Sequence, residues 1–311
     1  MRCLVTGAAG FIGNALVQRL IDEGHSVRAL IHQKTPESLD CQVRYIAADL
    51  TDPSSLPAAT QDVDVVFHCA AIVKEYGSKR DFLKVNVDGT KNLAEACSPD
   101  LKRFVFLSHF HSDSGRKYGW YSYSKGLAEQ YLSQHHHTTG FPVVVIRPGN
   151  VIGPGEAAWV IRPLRAIQHN RIAFIDKGSG IFLHTYIDNL LDALIATMHT
   201  PSCVGETIEI TDGDNTTTWG EYLNAVAHIA GKQKITKKMS KSTALTLSYL
   251  MKVSSLFGRE PLLTPSVVHF FTNKRTVSLQ KAEHILGYKP KIEYTEALKQ
   301  IQTWLKTQRY V

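Results

Sequence analysis

The feature that most limits this chain is an alternation of short apolar runs with helical patterns through its first 150 residues. Runs rich in Val, Ile, Leu and Phe lie at 3–6, 27–31, 43–47, 65–68, 104–107 and 143–147. Helical spacing marks 11–23, 81–97 and 121–137. Parallel strands need long crossovers, and a helix fills each one, so repeated strand–helix units predict a parallel sheet with helices on both faces. The expected class is α/β, doubly wound. After Pro148 the alternation weakens, and loop-like segments rich in proline and glycine are expected until a final helix at 294–307.

The first apolar run leads into Thr6-Gly7-Ala8-Ala9-Gly10-Phe11-Ile12-Gly13, which opens a helical pattern. In that setting the glycines have a mechanism. Gly7 permits the tight turn, Gly10 lets the backbone approach a pyrophosphate, and Gly13 lets helix pack on strand, while free amides at the helix start face the anion. Gly7, Ala9, Gly10, Phe11, Ile12 and Gly13 are therefore candidate nucleotide-binding residues in a Rossmann-type fold. The second strand ends Ala29-Leu30-Ile31-His32-Gln33-Lys34, without the carboxylate that usually holds an adenosine ribose. Arg28, His32 and Lys34 are cations suited to a 2′-phosphate, so NADP(H) is favoured over NAD(H), with His32 and Lys34 as its contacts. Further on, Tyr121 and Lys125 stand four apart in a helical pattern and share a face. A lysine beside a phenol favours phenolate, which suits proton transfer to or from a carbinol oxygen.

With these motifs, Ala48-Asp49-Leu50, Phe67-His68-Cys69-Ala70-Ala71, Asn86-Val87-Asp88-Gly89-Thr90 and Arg147-Pro148-Gly149-Asn150-Val151-Ile152-Gly153-Pro154, the chain resembles the extended short-chain dehydrogenase/reductase family, nearly end to end. The resemblance implies that Asp49 and Leu50 flank the adenine and that Ala70 and Ala71 line the cofactor cleft. It implies that Asn86 supports the site and Lys125 binds the nicotinamide ribose. It also implies that 148–151, with Pro148, Asn150 and Val151, pack on the nicotinamide. Later segments, His184-Thr185-Tyr186-Ile187-Asp188-Asn189, Thr211-Asp212-Gly213, Glu260-Pro261-Leu262-Leu263-Thr264 and 282–290, are similar to the 3β-hydroxysteroid dehydrogenase-like branch. That branch includes sterol-carboxylate dehydrogenases and 2-alkyl-3-oxoalkanoate reductases. The expected division is a dinucleotide-binding domain at 1–153 with a return segment at about 181–200, and a smaller substrate-binding region at 154–180 and 201–311.

Two departures from the family pattern are informative. Where the family places a serine or threonine after the fifth strand, the register puts His109; a neutral imidazole can donate the same hydrogen bond, and Ser108, or Ser112 after a loop shift, is the alternative. Only eleven residues separate His109 from Tyr121, a loop shorter than in sugar-nucleotide members, which points to a bulky apolar substrate such as a steroid or a long-chain 3-oxo acid. The expected activity is interconversion of a secondary alcohol and a ketone. A sugar-nucleotide epimerase or dehydratase and a non-catalytic nucleotide sensor are the alternatives. The resemblance further implies a homodimer through 81–97 and 121–137.

Charge bears on partners. The formal net charge is +7; residues 1–200 carry 20 basic and 19 acidic side chains, and 201–311 carry 15 and 9. Residues 222–259 hold seven basic residues and no acidic one. No helix-turn-helix, zinc-finger or RNA-binding aromatic signature accompanies them, so nucleic acid is not expected as a partner. The apolar residues at 244–257, flanked by Lys237, Lys238, Lys241, Lys252 and Arg259, suit ordinary packing, a lid over an apolar pocket, or peripheral contact of about 234–271 with an anionic membrane. No apolar run reaches the roughly eighteen residues of a membrane span, and Met1 to Gly7 reads as a strand rather than a signal peptide. The five cysteines are scattered without CxxC spacing, so reduced thiols in the cytoplasm and no metal site are expected. The consecutive His135-His136-His137 do not share a helix face and read as a solvated helix end.

Overall fold

The computed structural model describes residues 1–32, 40–74, 76–254, 261 and 263–311. Seven parallel strands form the central sheet: β1 (Arg2–Thr6), β2 (Ser26–Ile31), β3 (Val43–Ala47), β4 (Val65–His68), β5 (Arg103–Leu107), β6 (Val143–Pro148) and β10 (Thr207–Ile210). Their order is β10-β6-β5-β4-β1-β2-β3, a doubly wound Rossmann-type sheet that reverses direction between β1 and β4. Two parallel strand pairs stand apart from it: β7 (Asn150–Ile152) with β9 (His184–Tyr186), and β8 (Phe174–Ile175) with β11 (Lys238–Met239).

Side chains alternate across a strand. Cys3, Val5, Phe67, Val105, Val144 and Ile146 therefore enter one apolar layer, and Leu4, Val66, Phe104, Phe106, Val143 and Val145 enter the other. Strands covered on both faces read as continuous apolar runs, which is why 65–68 and 104–107 stand out in the sequence. The helix Phe11–Asp22 buries Leu16, Val17 and Leu20. Arg19 in its last turn bonds Asp192 at 2.7 Å, tying it to the helix Ile187–His199.

Three expectations change. Helices occupy much of the stretch after Pro148, at Ile187–His199, Trp219–Ile229 and Lys241–Ser254 among others. The second of these starts with a Thr218/Glu221 capping box, which satisfies free amides at the helix start. Thr207–Ile210, assigned by sequence to the substrate-binding region, pairs with β6 as the seventh strand of the central sheet. Its short run, alternating Ile208 and Ile210 inward, carries little periodic signal. The single helix expected at 81–97 is Lys79–Phe82 and Gly89–Glu95, joined by a π-helical turn at Leu83–Asp88. Among the described residues no helix is long and apolar enough to cross a membrane.

A buried relay of hydrogen bonds holds the centre of the sheet. Ala70 N–H donates to Thr6 Oγ1 at 3.1 Å, and Thr6 Oγ1 meets His68 Nδ1 at 2.7 Å. His68 Nε2 meets Thr90 Oγ1 at 2.9 Å, and Thr90 Oγ1 donates to the Asn86 carbonyl at 2.7 Å. The end donors fix every direction: Thr90 spends its proton on Asn86, so His68 Nε2–H donates to it and Nδ1 accepts from Thr6. Burial holds the imidazole pKa well below its ordinary value, with the Lys125 charge adding to the effect. His68→Leu leaves two buried hydroxyls without their ring partner. It is expected to cost about 2–4 kcal/mol in urea unfolding; a loss below about 0.5 kcal/mol, the range of ordinary surface changes, would show that the relay carries little of the fold's stability.

Candidate active site

The carboxyl ends of β1, β4, β5 and β6 open into one cleft of about 1070 Å³, at the reversal of strand order where sheets of this type bind ligands. Gly7, Ala9, Gly10, Phe11, Ile12 and Gly13 line it, as do His32, Asp49, Leu50, Ala70, Ala71, Pro148, Asn150 and Val151. Lys34 lies outside the described residues. Gly7 takes φ +70°, and a Cβ on Gly13 would stand 2.3 Å from the Gly7 carbonyl oxygen. The helix thus starts against the turn in a way only glycine allows. Gly10 caps that helix without a side-chain bond, and no acidic residue occupies its first turn, so its amides are free to meet an anion.

At the end lined by His32, the ring Nε2 lies 3.4 Å from Asp49 Oδ2. The carboxylate also accepts from Thr51 N–H at 2.8 Å, and that amide is the chief cause of its lowered pKa. The carboxylate missing from the end of β2 is therefore supplied beside His32 from the end of β3. Lys84, which sequence reasoning passed over, lines the same cleft and helps to lower the Asp49 pKa. The glycine cradle, the free amides and the unpartnered Ser108 hydroxyl described below fit an extended dinucleotide.

Tyr121 and Lys125 rise from the helix Gly119–Thr139 and both line the cleft. Their chemistry differs from the simple expectation. Lys125 Nζ donates to Leu107 O at 2.6 Å and lies 4.3 Å from the centre of the Phe106 ring. Burial lowers its pKa to about 8, against smaller opposing effects from Cys69 and Glu129. Burial pushes the Tyr121 phenol up, not down. In the chain alone, desolvation therefore favours the protonated phenol.

His109 also lines the cleft, its ring centre 5.2 Å from that of Tyr121 in an edge-on arrangement. His111 N–H donates to His109 Nδ1 at 3.2 Å, and Ser122 Oγ lies 3.2 Å from the same nitrogen. Burial and the nearby His111, Lys125 and Arg275 hold its pKa well below the usual value. The ring is thus neutral with its proton on Nε2, and that N–H has no protein acceptor among the described residues. The expected role of a neutral donor is available to it. Ser108, next in line, is buried in the cleft lining with its hydroxyl unpartnered among the described residues. Ser112 is turned away, donating to Glu129 at 2.7 Å.

Asn86 sits behind the cleft, placed by the π-helical turn. Its Oδ1 accepts from Ile72 N–H at 2.8 Å, and its Nδ2 donates to Ile72 O at 3.2 Å and to Ser124 Oγ at 2.9 Å. It clamps the segment after β4, which carries Ala70 and Ala71, to the helix that carries Tyr121 and Lys125. Gly126 was also missed by sequence reasoning: a Cβ there would lie 2.2 Å from the Ser112 carbonyl oxygen. Its position directly after Lys125 was the available signal. The loop 109–112 can therefore pack against the helix Gly119–Thr139.

Beyond His109 the cleft is walled by aromatic rings. Phe270 lies stacked on Trp159 at 5.4 Å and 6.5 Å from His109, and Tyr118 and Phe271 complete the wall. Tyr118 stacks on His111 at 3.7 Å, and Asn273 Nδ2 donates to His111 Nε2 at 3.1 Å. Arg275 N–H donates to Asn273 Oδ1, which fixes that amide's orientation and leaves the His111 proton on Nδ1.

Comparison with known proteins places these features in context. A family model described as the NAD dependent epimerase/dehydratase family matches residues 3–211. A 2-alkyl-3-oxoalkanoate reductase of Stenotrophomonas maltophilia is 28% identical, covering 97% of this chain and 98% of that protein. The 3beta-hydroxysteroid-dehydrogenase/decarboxylase isoform 1 of Arabidopsis thaliana is 26% identical, covering 96% of this chain and 78% of that protein. Among solved structures, a UDP-glucuronic acid 4-epimerase from Bacillus cereus in complex with UDP-glucuronic acid and NAD aligns with a TM-score of 0.79 at 22% identity, covering 99% of this chain and 100% of that one. That likeness is one of fold.

The neutral histidines have a consequence for pH. His68, His109 and His111 are held neutral in the folded chain, His111 with its pKa lowered to about 3 mainly by burial. In the unfolded chain each titrates near 6.5. Below that pH the unfolded state binds more protons, so stability is complete above about 6.5 and falls with acidification, by up to about 1.4 kcal/mol per pH unit for each ring. Urea midpoints are expected to drop between about pH 6.5 and 5, before carboxylates protonate. His111→Phe, which keeps a ring against Tyr118, should reduce that slope. A flat profile over this window would contradict neutral burial.

Proposed function

Since the chain belongs to the NAD-dependent epimerase/dehydratase family, we propose that it is a nicotinamide-dependent oxidoreductase interconverting a secondary alcohol and a ketone on a bulky apolar substrate. The observation that carries this reading is the placement of His109 between Tyr121 and Phe270, so that an acid and a hydrogen-bond donor face an aromatic wall. A flat or extended apolar body, steroid-like or the chain of a 3-oxo acid, fits against Trp159 and Phe270. The names of the Stenotrophomonas and Arabidopsis relatives support that substrate class.

A bound nicotinamide dinucleotide supplies the hydride in the reducing direction. The protein's own residues do the rest. The His109 Nε2–H holds the ketone oxygen. Tyr121, kept protonated by burial, delivers its proton to that oxygen as negative charge grows there, giving the alcohol and leaving phenolate. Lys125 stabilises the phenolate and holds the ribose, and Asn86 keeps the two supporting segments in register. Each group acts by position and charge, in a dry site where both effects are strengthened. The same reading assigns the homodimer surface to the helices within 81–97 and to Gly119–Thr139.

We also assign NADP(H) as the favoured cofactor, through His32 and Lys84 beside Asp49, with Lys34 as a third cation. Removing one exposed cation from a phosphate contact should weaken NADPH binding about two- to fivefold. His32→Ala and Lys84→Ala are expected to show this loss for NADPH and little change for NADH. Tighter binding of NADH by the unaltered protein would sink the assignment.

The reaction itself is tested by NADPH consumption with a panel of steroid and long-chain 3-oxo ketones. Tyr121→Phe should lower kcat by about two to four orders of magnitude, the usual contribution of a positioned acid, with binding of the dinucleotide retained. Turnover of a UDP-sugar without net change in NADPH would favour the epimerase reading instead. Unchanged activity in Tyr121→Phe would reject the assigned acid.

A further inference from the structure

Two sets stand out among the fifteen basic residues at 201–311. Lys281, Lys289, Lys291 and Lys299 each have a carboxylate partner. Lys232, Lys234, Lys237, Lys238 and Lys241 are all exposed, and none forms an ion pair with a described residue. They run directly into the helix Lys241–Ser254. One side of that helix buries Ala244 and Ser248, while Leu247, Tyr249 and Leu250 are 36%, 57% and 63% exposed. Leu247 and Leu250 are three apart and share a face, with Tyr249 at its border. Of the seven exposed large apolar residues described in the chain, these are the three that cluster on one helix.

The helix has a defined relation to the site. It packs against Pro265–Phe271, whose Ser266, Val267, Phe270 and Phe271 line the cleft. Lys241 and Lys117 both act on His269 of that segment, lowering its pKa behind the larger effect of burial. Lys241 therefore lies near the segment that supplies part of the cleft wall.

We propose that the helix Lys241–Ser254 and its lysine collar seat on an anionic lipid surface, so that the apolar side chains enter the headgroup boundary beside the mouth of the cleft. An interfacial helix needs an apolar face flanked by cations, and this segment has both. A second copy of the chain is the poorer occupant, because it brings five more unpaired lysines to the contact; a layer of lipid phosphates neutralises them. An apolar substrate would then pass from the lipid to the aromatic wall without crossing water.

The test uses the full chain and vesicles of phosphatidylcholine with or without phosphatidylserine, read by sedimentation rather than turnover. Binding is expected to the anionic vesicles and to fall with added salt. Leu247→Ser/Tyr249→Ser/Leu250→Ser should abolish it while the thermal midpoint and dinucleotide binding stay unchanged. Lys234→Gln and Lys238→Gln should each weaken it about fivefold. The proposal is overturned by equal binding to neutral vesicles, by no binding to either, or by unchanged binding of the triple variant. It is equally overturned if the triple substitution abolishes self-association of a chain that ignores vesicles, which would mark the face as a contact between copies.

Discussion

The position of everything in the cleft depends on one buried, directional relay, from Ala70 N–H through Thr6, His68 and Thr90 to the Asn86 carbonyl. It crosses from the end of β1 to the end of β4 and on to the helix that follows. Both strands flank the reversal of the sheet. Each member has one role in proton donation, so the whole set is satisfied in only one arrangement. Asn86 continues it with its side chain, which grips Ile72 and Ser124. The glycine turn, the end of β4 and the helix Gly119–Thr139 are thereby joined by polar contacts that an apolar core could not orient.

A second network secures the substrate side. Arg147 bonds Glu129 at 2.6 Å and Asp113 at 3.0 Å. Arg275 bonds Asp113 at 3.2 Å and pairs with Glu209 and the Phe110 carbonyl. Strand β6, strand β10, the helix Gly119–Thr139 and the loop after β5 are all drawn to one segment near residue 275. Burial keeps His109 and His111 neutral, Arg275 of this cluster adds to the effect at both, and Asp113 opposes it at His111. Partly buried pairs of this kind do not by themselves promise stability; their value here is the orientation they give to the short loop between His109 and Tyr121.

The sheet was legible because its strands are buried on both faces. The runs at 43–47 and 65–68 coincide with β3 and β4, and 294–307 with the last helix. The glycine turn was legible for a steric reason that the Gly13 contact makes plain. Legibility failed where the signal is long-range. Thr207–Ile210 is four residues long and joins the sheet only because β6 offers a free edge. The π-helical turn at Leu83–Asp88 has the same apolar spacing as the helix on either side. His68 reads as one polar residue at the end of an apolar run, and nothing local reveals that Thr6 and Thr90 meet it. At the end of β2 the lack of a carboxylate was visible, but the approach of Asp49 to His32 depends on how β2 and β3 pair.

The largest difference between sequence and structure concerns the charge state of Tyr121 and Lys125. Spacing alone places a lysine on the face of the tyrosine and suggests a depressed phenol pKa. The fold surrounds both with apolar atoms and turns Lys125 to the Leu107 carbonyl. Desolvation disfavours the charged form of each, so the phenol rises and the ammonium falls to about 8. In each group the same cause, the loss of water, moves the balance toward the uncharged form. Spacing along a helix reports which groups share a face, and the surroundings that the fold gives them decide their charge.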